Sequence, residues 1–552
     1  MITTSKGSNM RSYFIFLFAC LFSINSYSAE SPNEPPNILL IVADDLGYSD
    51  LGRYGSEIPT PNLDMLANEG LLLTNFYTSM LCAVTRSMLL SGTDNHLAGL
   101  GAMGGHTEAQ LGQPGYEQYL NFSVASLADL MTDAGYNTYM TGKWHLGLTE
   151  ETSPAARGMK RSFTLLEGGA AHLGGMTMWG PEASGSEFAF YRDDMNLVTV
   201  DEDFYSTREY TDRMISFIEA DREDDKPFFA YLAYTAPHWP LQAPAESIAK
   251  FKGLYDDGYE ALHHKRFERL GEMGLLPEGA LVADSSRFDP TWDSLSAEEQ
   301  AIESRGMEVY AALVSDLDIY IGKLIDYLKS IDEYENTFIM FMSDNGAEGV
   351  KREAGNGPFA RWAARCCDNS LENIGSVTSY VSYGPNWAVA SATPWQRHKT
   401  SAFEGGIHVP AFIHYSGLES TGAQNNAFAT VMDLLPTFLD LAETEHPGAV
   451  YKGREVFPVK GNSMLPILTG ESEFVHAEDE YMGWEHRQHS SIRQGDWKIV
   501  WDPTMGLEAK WQLFNLAEDP SERNDLIEVN PEKASELLIL WGRYLEENGV
   551  IF

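Results

Sequence analysis

Cysteine is scarce in this chain: four residues among 552, at Cys20, Cys82, Cys366 and Cys367. That is too few for a disulfide-built scaffold. Positive charge is scarce as well. Lys+Arg number 38 against Asp+Glu 80, a formal net charge of −42. A general nucleic-acid binder gathers cations, so that class is excluded. Acidity of this kind serves solubility in a salty or extracellular setting. An anionic ligand would need the few cations collected in one pocket. Long apolar runs are lacking too. No stretch reaches the ~20 residues of a bilayer span, which excludes stable membrane insertion. Internal repeats and low-complexity tracts are absent. What is present, 43% hydrophobic and 12% aromatic residues, is a globular composition. The length suggests two to four domains, or one large α/β domain with a satellite.

The N-terminus sets the compartment. Lys6 and Arg11 precede the apolar run from Tyr13 to Phe22, and Ser26-Tyr27-Ser28-Ala29 follows. That order is a secretory signal peptide over residues 1–29, cleaved after Ala29. A bacterial-type signal places the mature protein in the periplasm or outside the cell. A lipoprotein cut before Cys20 is disfavoured by Phe18. Vicinal cysteines such as Cys366 and Cys367 are expected not to pair with each other, because the geometry is strained.

Short apolar runs end in polar residues. Ile38–Ala43 leads to Asp44-Asp45, and Tyr136–Thr141 to Gly142-Lys143-Trp144-His145. Phe228–Tyr234 leads to Thr235-Ala236-Pro237-His238, and Thr337–Met342 to Ser343-Asp344-Asn345. Helical patterns alternate with them: Thr60-Pro61 to Gly70, Ser123 to Gly135, and the stripe from Tyr310 to Leu328. Alternation of this kind predicts an α/β fold, a large and mostly parallel sheet sandwiched by helices. Ligands in such folds sit beyond the carboxyl ends of the strands.

Residues 240–305 read as a charged, loop-rich insert, and 353–398 as a long ordered loop. After about residue 445 the pattern changes to hairpin strands at 491–501 and 511–516. A terminal helix then starts at Asn530-Pro531 with Leu537, Leu538, Trp541 and Leu545 on one face. The expected domains are 30–445, catalytic α/β, and 446–552, a smaller α+β unit with an antiparallel sheet.

Asp44, Asp45, Asp344 and Asn345 are all oxygen donors at strand ends. Such a set prefers a hard cation, calcium before magnesium. A dinuclear zinc site would want histidines in those positions. Cys82 is expected at a helix N-terminus, which favours an anion, with Arg86 one turn on, facing the same way. Among the histidines, His145 and His238 follow strands. His172, His398 and His408 are either pocket or structural residues, and the others are expected at the surface. Trp387 and Trp395 line a cleft or pack in the core.

With these motifs the chain resembles the type I, formylglycine-dependent sulfatases of the alkaline-phosphatase superfamily, bacterial arylsulfatases above all. Cys82-Ala83-Val84-Thr85-Arg86 is similar to the family signature Cys-x-Pro/Ala-x-Arg, with Val84 where Pro or Ala is usual. Gly142–Gly147, Ala236–Pro244, Ser343–Gly349, Lys399 with Glu404-Gly405-Gly406, and Leu513–Pro520 also match, over about residue 35 to the end.

The resemblance implies a calcium-dependent sulfuric ester hydrolase with one Ca2+ per chain. Cys82 would be oxidised to formylglycine by a formylglycine-generating enzyme. Its hydrate would attack sulfur in a small-molecule or saccharide sulfate ester, giving a covalent sulfoenzyme. Asp44, Asp45, Asp344, Asn345 and residue 82 would hold the metal. His238 and Lys399 would assist the leaving group, His145 would take the second proton, and Arg86 and Lys143 would hold the hydrate. Two other readings stay beside this one. One is a phosphate or phosphonate monoester hydrolase on the same scaffold. The other is a silent sulfatase-like binding protein with Cys82 unmodified.

Overall fold

In the computed structural model, residues 35–282, 287–418, 422–504 and 509–552 are described. The expected signal peptide and Cys20 lie outside them. Among the described residues, no helix is long and apolar enough to cross a membrane.

The main sheet has ten strands. From one edge they are Ala423–Asn425, Leu71–Leu73, Ala411–His414, Thr337–Ser343, Asn37–Ala43, Phe228–Ala233, Asn137–Lys143, Arg161–Leu165, Tyr191–Asp193 and Asn196–Val198. The five from Thr337–Ser343 to Arg161–Leu165 are mutually parallel. Antiparallel pairings confine themselves to Ala411–His414 and the last two strands. The predicted mixed, mostly parallel α/β architecture is therefore what forms.

Period-two geometry explains the layers. Side chains alternate across a strand, and the strand Asn37–Ala43 splits accordingly. Leu39, Ile41 and Ala43 enter one core with the 34-residue helix Ala297–Ser330 and the helix Ser206–Ala220. Ile38, Leu40 and Val42 enter the other, with helices Cys82–Ser91 and Leu434–Leu441. A strand buried on both faces has no polar side to keep, hence its unbroken apolar run.

A separate four-stranded antiparallel sheet follows, Tyr481–His486, His489–Gln494, Trp497–Trp501 and Gln512–Asn515. The helix Pro531–Asn548 packs on it through Leu537, Trp541 and Tyr544. Leu538, predicted on that face, is 37% exposed instead.

Other expectations are corrected. The helix predicted from Ser123 begins at Leu127. Ser126 caps it by accepting the Asp129 N–H, while the Ser123 carbonyl is taken by the Phe457 N–H. The 240–305 insert keeps its loops but also holds the helices Ala245–Ala249 and Gly258–Glu272. Its Arg266 is a buried link to Asp50 and Glu57. The 353–398 loop holds helices Pro358–Cys366 and Pro385–Ser391, each opened by a Gly-Pro pair. Proline at the first helical position is favourable, a signal hidden by the glycine-rich surroundings. Cys366 and Cys367 are disulfide-bonded to each other, against expectation.

Candidate active site

Strand register brings the polar ends together. Ala43 pairs with Ser343, Val42 and Gly142 both pair with Ala233, and Lys143 pairs with Leu165. Each chain then leaves the sheet at the same edge. Two departures use left-handed backbone, Asp45 at φ 66 and His145 at φ 57. Such conformations are costly for side-chain-bearing residues and cluster at functional sites. Gly142 is required by close approach, since a Cβ there would sit 1.8 Å from the Ala233 carbonyl oxygen.

All ten predicted site residues meet in one buried cluster. The Arg86 Nε and Nη2 both donate to Asp344 Oδ2, at 2.9 and 2.7 Å, and its Nη1 donates to the Lys143 carbonyl at 2.8 Å. Lys143 Nζ donates to Asp44 Oδ2 at 2.6 Å. Lys399 Nζ lies 2.6 Å from Asp45 Oδ1, which also accepts from Asn345 Nδ2 at 2.7 Å. Cys82, the first residue of its helix, has its Sγ 3.4 Å from His145 Nδ1. His238 Nε2 stands 3.5 Å from Asp45 Oδ2.

Among these ten residues, three buried oxygens have no hydrogen-bond partner: Asp44 Oδ1, Asp45 Oδ2 and Asn345 Oδ1. Buried acceptors left this way are expensive. Oxygen donors of this type fit a hard cation. Ligand atoms of Asp44, Cys82 and Asp344 lie within 4.8 Å of one another, as do those of Asp44, Asp45 and His238. The sequence reading kept histidine out of the metal set, and the structure brings His238 to its edge. A backbone carbonyl only accepts, so His238 Nδ1 donates to the Trp239 oxygen. The neutral ring then turns its Nε2 lone pair toward the orphaned Asp45 oxygen. Two lone pairs facing each other call for a cation or a donated proton between them.

The electrostatics follow from burial beside charge. Burial and the Asp344 carboxylate push Asp44 up to about 8, against Lys143. Burial raises Asp45 too, but Lys399, His238 and Lys143 outweigh it and hold that carboxyl below its usual range. Burial raises the Cys82 thiol in spite of Lys143 and Lys399. It is therefore a poor thiolate nucleophile. Burial, then the cations Lys143, Arg86 and Lys399, drive His145 well below the ordinary histidine value. It stays a neutral base. Lys143 and Lys399 rise despite burial because Asp44 and Asp45 face them.

Several residues escaped the sequence reading. Glu348 lies 3.5 Å from Lys399 Nζ, and the Tyr231 hydroxyl oxygen accepts from Arg86 Nη1 at 3.4 Å. Glu348 sits in the Ser343–Gly349 motif, so that motif was its signal. Gly168, beyond the strand Arg161–Leu165, leaves room for His145: a Cβ there would lie 2.5 Å from Cε1. His172 supports the site indirectly, donating from Nε2 to the His238 carbonyl at 2.7 Å. His398 Nδ1 reaches the Lys399 carbonyl, and His408 pairs with Glu404 and stacks on Trp395. Trp387 and Trp395 are core residues. His96, His263, His414 and His486 are buried, not at the surface as expected. A cavity of about 810 Å³ opens beside His145 and Gly168.

A buried oxygen-donor set, three fixed cations and a neutral histidine are thus gathered at the sheet's carboxyl edge, with the chemistry to hold a hard cation and an anion. The sulfatase family profile matches residues 36–444, and a profile for the C-terminal region of N-sulphoglucosamine sulphohydrolase matches 396–539. The chain belongs to the sulfatase family, within the alkaline-phosphatase-like superfamily, and is a sulfuric ester hydrolase. An uncharacterised sulfatase of Schizosaccharomyces pombe is 42% identical over 538 residues, 95% of this chain and 96% of its own. An arylsulfatase of Klebsiella aerogenes is 37% identical over 435 residues, 79% of this chain and 92% of its own. The solved structure of Ps i-CgsB with k-i-k-neocarrahexaose shares the fold, at TM-score 0.65 and 24% identity, covering 93% of this chain and 94% of that one.

Proposed function

We propose that this chain is a calcium-dependent arylsulfatase-type enzyme, secreted or periplasmic after loss of residues 1–29, that works through formylglycine at residue 82. The observation that carries the reading is the set of orphaned oxygens on Asp44, Asp45 and Asn345, grouped around Cys82 and Asp344. With Asp344 and residue 82 they would hold the calcium, which would neutralise charge on the sulfuryl oxygens. The Cys82 thiol stands where the modified side chain would be, and the aldehyde hydrate supplies an oxygen nucleophile that the raised thiol cannot.

The chain's own residues do the rest. Arg86, Lys143 and Lys399 fix positive charge among buried side chains, where charge on sulfate oxygens would build. Lys399 faces Asp45 and holds a proton for the departing alcohol oxygen, while His238, with its free Nε2 toward Asp45, would hold a donor or the cation in place there. His145, neutral and 3.4 Å from the residue-82 side chain, accepts a proton there. The carboxylates Asp44, Asp45, Asp344 and Glu348 are matched by Arg86, Lys143, Lys399 and Arg352, so a divalent ion would leave net positive charge for the ester. A domain division near residue 445 belongs to this proposal, supported by the family profile ending at 444.

The test is hydrolysis of 4-nitrophenyl sulfate against 4-nitrophenyl phosphate, using protein matured with a formylglycine-generating enzyme. Sulfate hydrolysis lost in Cys82→Ala and after calcium removal is the expected result. Preference for the phosphate would move the reading to a phosphomonoesterase on the same scaffold.

A further inference from the structure

The cavity beside His145 differs in character from the site it joins. The catalytic cluster gathers cations, whereas among the described residues no Lys or Arg lines this cavity. Its charged lining is acidic: Glu117, Glu151 and Glu167. The rest is largely apolar, with Phe122, Leu148 and Trp179 presenting 39%, 59% and 38% of their surface. Large exposed apolar residues around a concave site mark ligand contact.

The cations behind the wall are already committed. Arg157, 1% exposed, lies under the Phe122 ring and donates to the Leu120 and Asn121 carbonyls. Arg454 lies over Phe122 and Tyr451. Arg352 lies 5.8 Å from the Trp179 ring centroid and pairs with Glu348. Trp179 is itself braced edge-on by Trp239, the neighbour of His238. The aromatic wall is thus built onto the catalytic loop.

We propose that this cavity takes the organic part of a sulfate ester whose alcohol is apolar or aromatic and carries no second negative charge. Glu117 and Glu151 turn away polyanionic saccharide sulfates. The proposal rests on reading the adjoining cluster as the sulfate site. A sulfate held by the cluster places the rest of the ester in the only adjacent opening that His145 and Gly168 border among the cavities described. There a second anion would meet the Glu117 and Glu151 carboxylates and, among the described lining residues, no cation, a repulsion that discriminates substrates.

The test uses three esters that differ at one position: 4-nitrophenyl sulfate, its 3-carbamoyl derivative and its 3-carboxy derivative. The neutral amide controls for size. Two readouts are taken on the full chain with calcium present: kcat/KM of the formylglycine form, and calorimetric binding to the unmodified form, which needs no turnover. The carboxy ester is expected to be weaker than the amide by about 30-fold in both. In the double variant Glu117→Gln, Glu151→Gln, that gap is expected to shrink about fivefold while the unsubstituted ester changes less than about twofold. Equal handling of carboxy and amide esters overturns the proposal. So does a gap the double variant leaves unchanged, or failure of all three to bind. If no ester is hydrolysed but the binding gap and its response to the variant hold, the proposal stands and the hydrolase reading falls.

Discussion

Arg86 and Asp344 form a two-donor ion pair in which neither side chain is exposed to solvent. The pair joins the Cys82 helix to the end of a central strand. It fixes where residue 82 stands relative to the carboxylates. Removing one member of a buried pair strands the other's charge. Arg86→Ala is expected to cost about 3–5 kcal/mol of stability by urea denaturation. Activity is expected to vanish even at temperatures where the variant stays folded.

Cys82 makes a different prediction. It is a small, buried residue with its Sγ 3.4 Å from His145 Nδ1. Cys82→Ala removes only a sulfur, so stability should fall by about 1 kcal/mol. Sulfate ester hydrolysis should fall to background. Calorimetry and a nitrophenyl sulfate assay separate the two effects.

A cation bound among Asp44, Asp45, Asp344 and Asn345 would bind the folded chain alone, and so stabilise it. Chelation is expected to abolish activity and lower Tm. Added calcium at about 100 times its Kd should restore about 2.7 kcal/mol. An Asn345→Ala variant should lose that calcium-dependent Tm rise.

Gly168 is expected to resist substitution for a local reason. A Cβ there meets the His145 ring at 2.5 Å. Gly168→Ala should therefore lower kcat by displacing the base, with little change in folding stability. Kinetics at saturating substrate check this.

His96 gives a pH signature away from the site. Burial lowers it, but Asp94 and Glu485 overcome that and push it up to about 9. Folding therefore favours the protonated ring. The stabilisation is full below the unfolded value near 6.5 and is lost as pH rises through about 9. On the order of 3 kcal/mol should disappear across that window. Urea melts of the native chain and of His96→Gln check it: the variant should have a flatter profile.

The sequence made the central strands and the candidate site legible for one physical reason. Strands buried on both faces must be apolar throughout, so Ile38–Ala43 stands out, and the polar residues after it are conspicuous. The helix Pro531–Asn548 was readable from its Asn-Pro start and its apolar face. The helices inside 353–398 were not, because glycine and serine mask the two Gly-Pro starts. Gly168 and Tyr231 were invisible, since a glycine carries no chemistry of its own. Tyr231 lies inside an apolar strand and acquires its role only when Arg86 arrives from far along the chain. His96 was misplaced although Asp94 stands two positions before it, because its second carboxylate, Glu485, is 389 positions away.

Burial also constrains maturation. Cys82 is 3% exposed and Val84 is fully buried, so the proposed conversion of Cys82 would have to precede folding. Conversion is expected on the unfolded or emerging chain only. The most direct measurement is mass spectrometry of the protease fragment containing residue 82, from protein co-expressed with a formylglycine-generating enzyme. The account predicts a mass lowered by replacement of the thiol with an aldehyde, together with sulfate ester hydrolysis. An intact Cys82 thiol in fully active protein would contradict it.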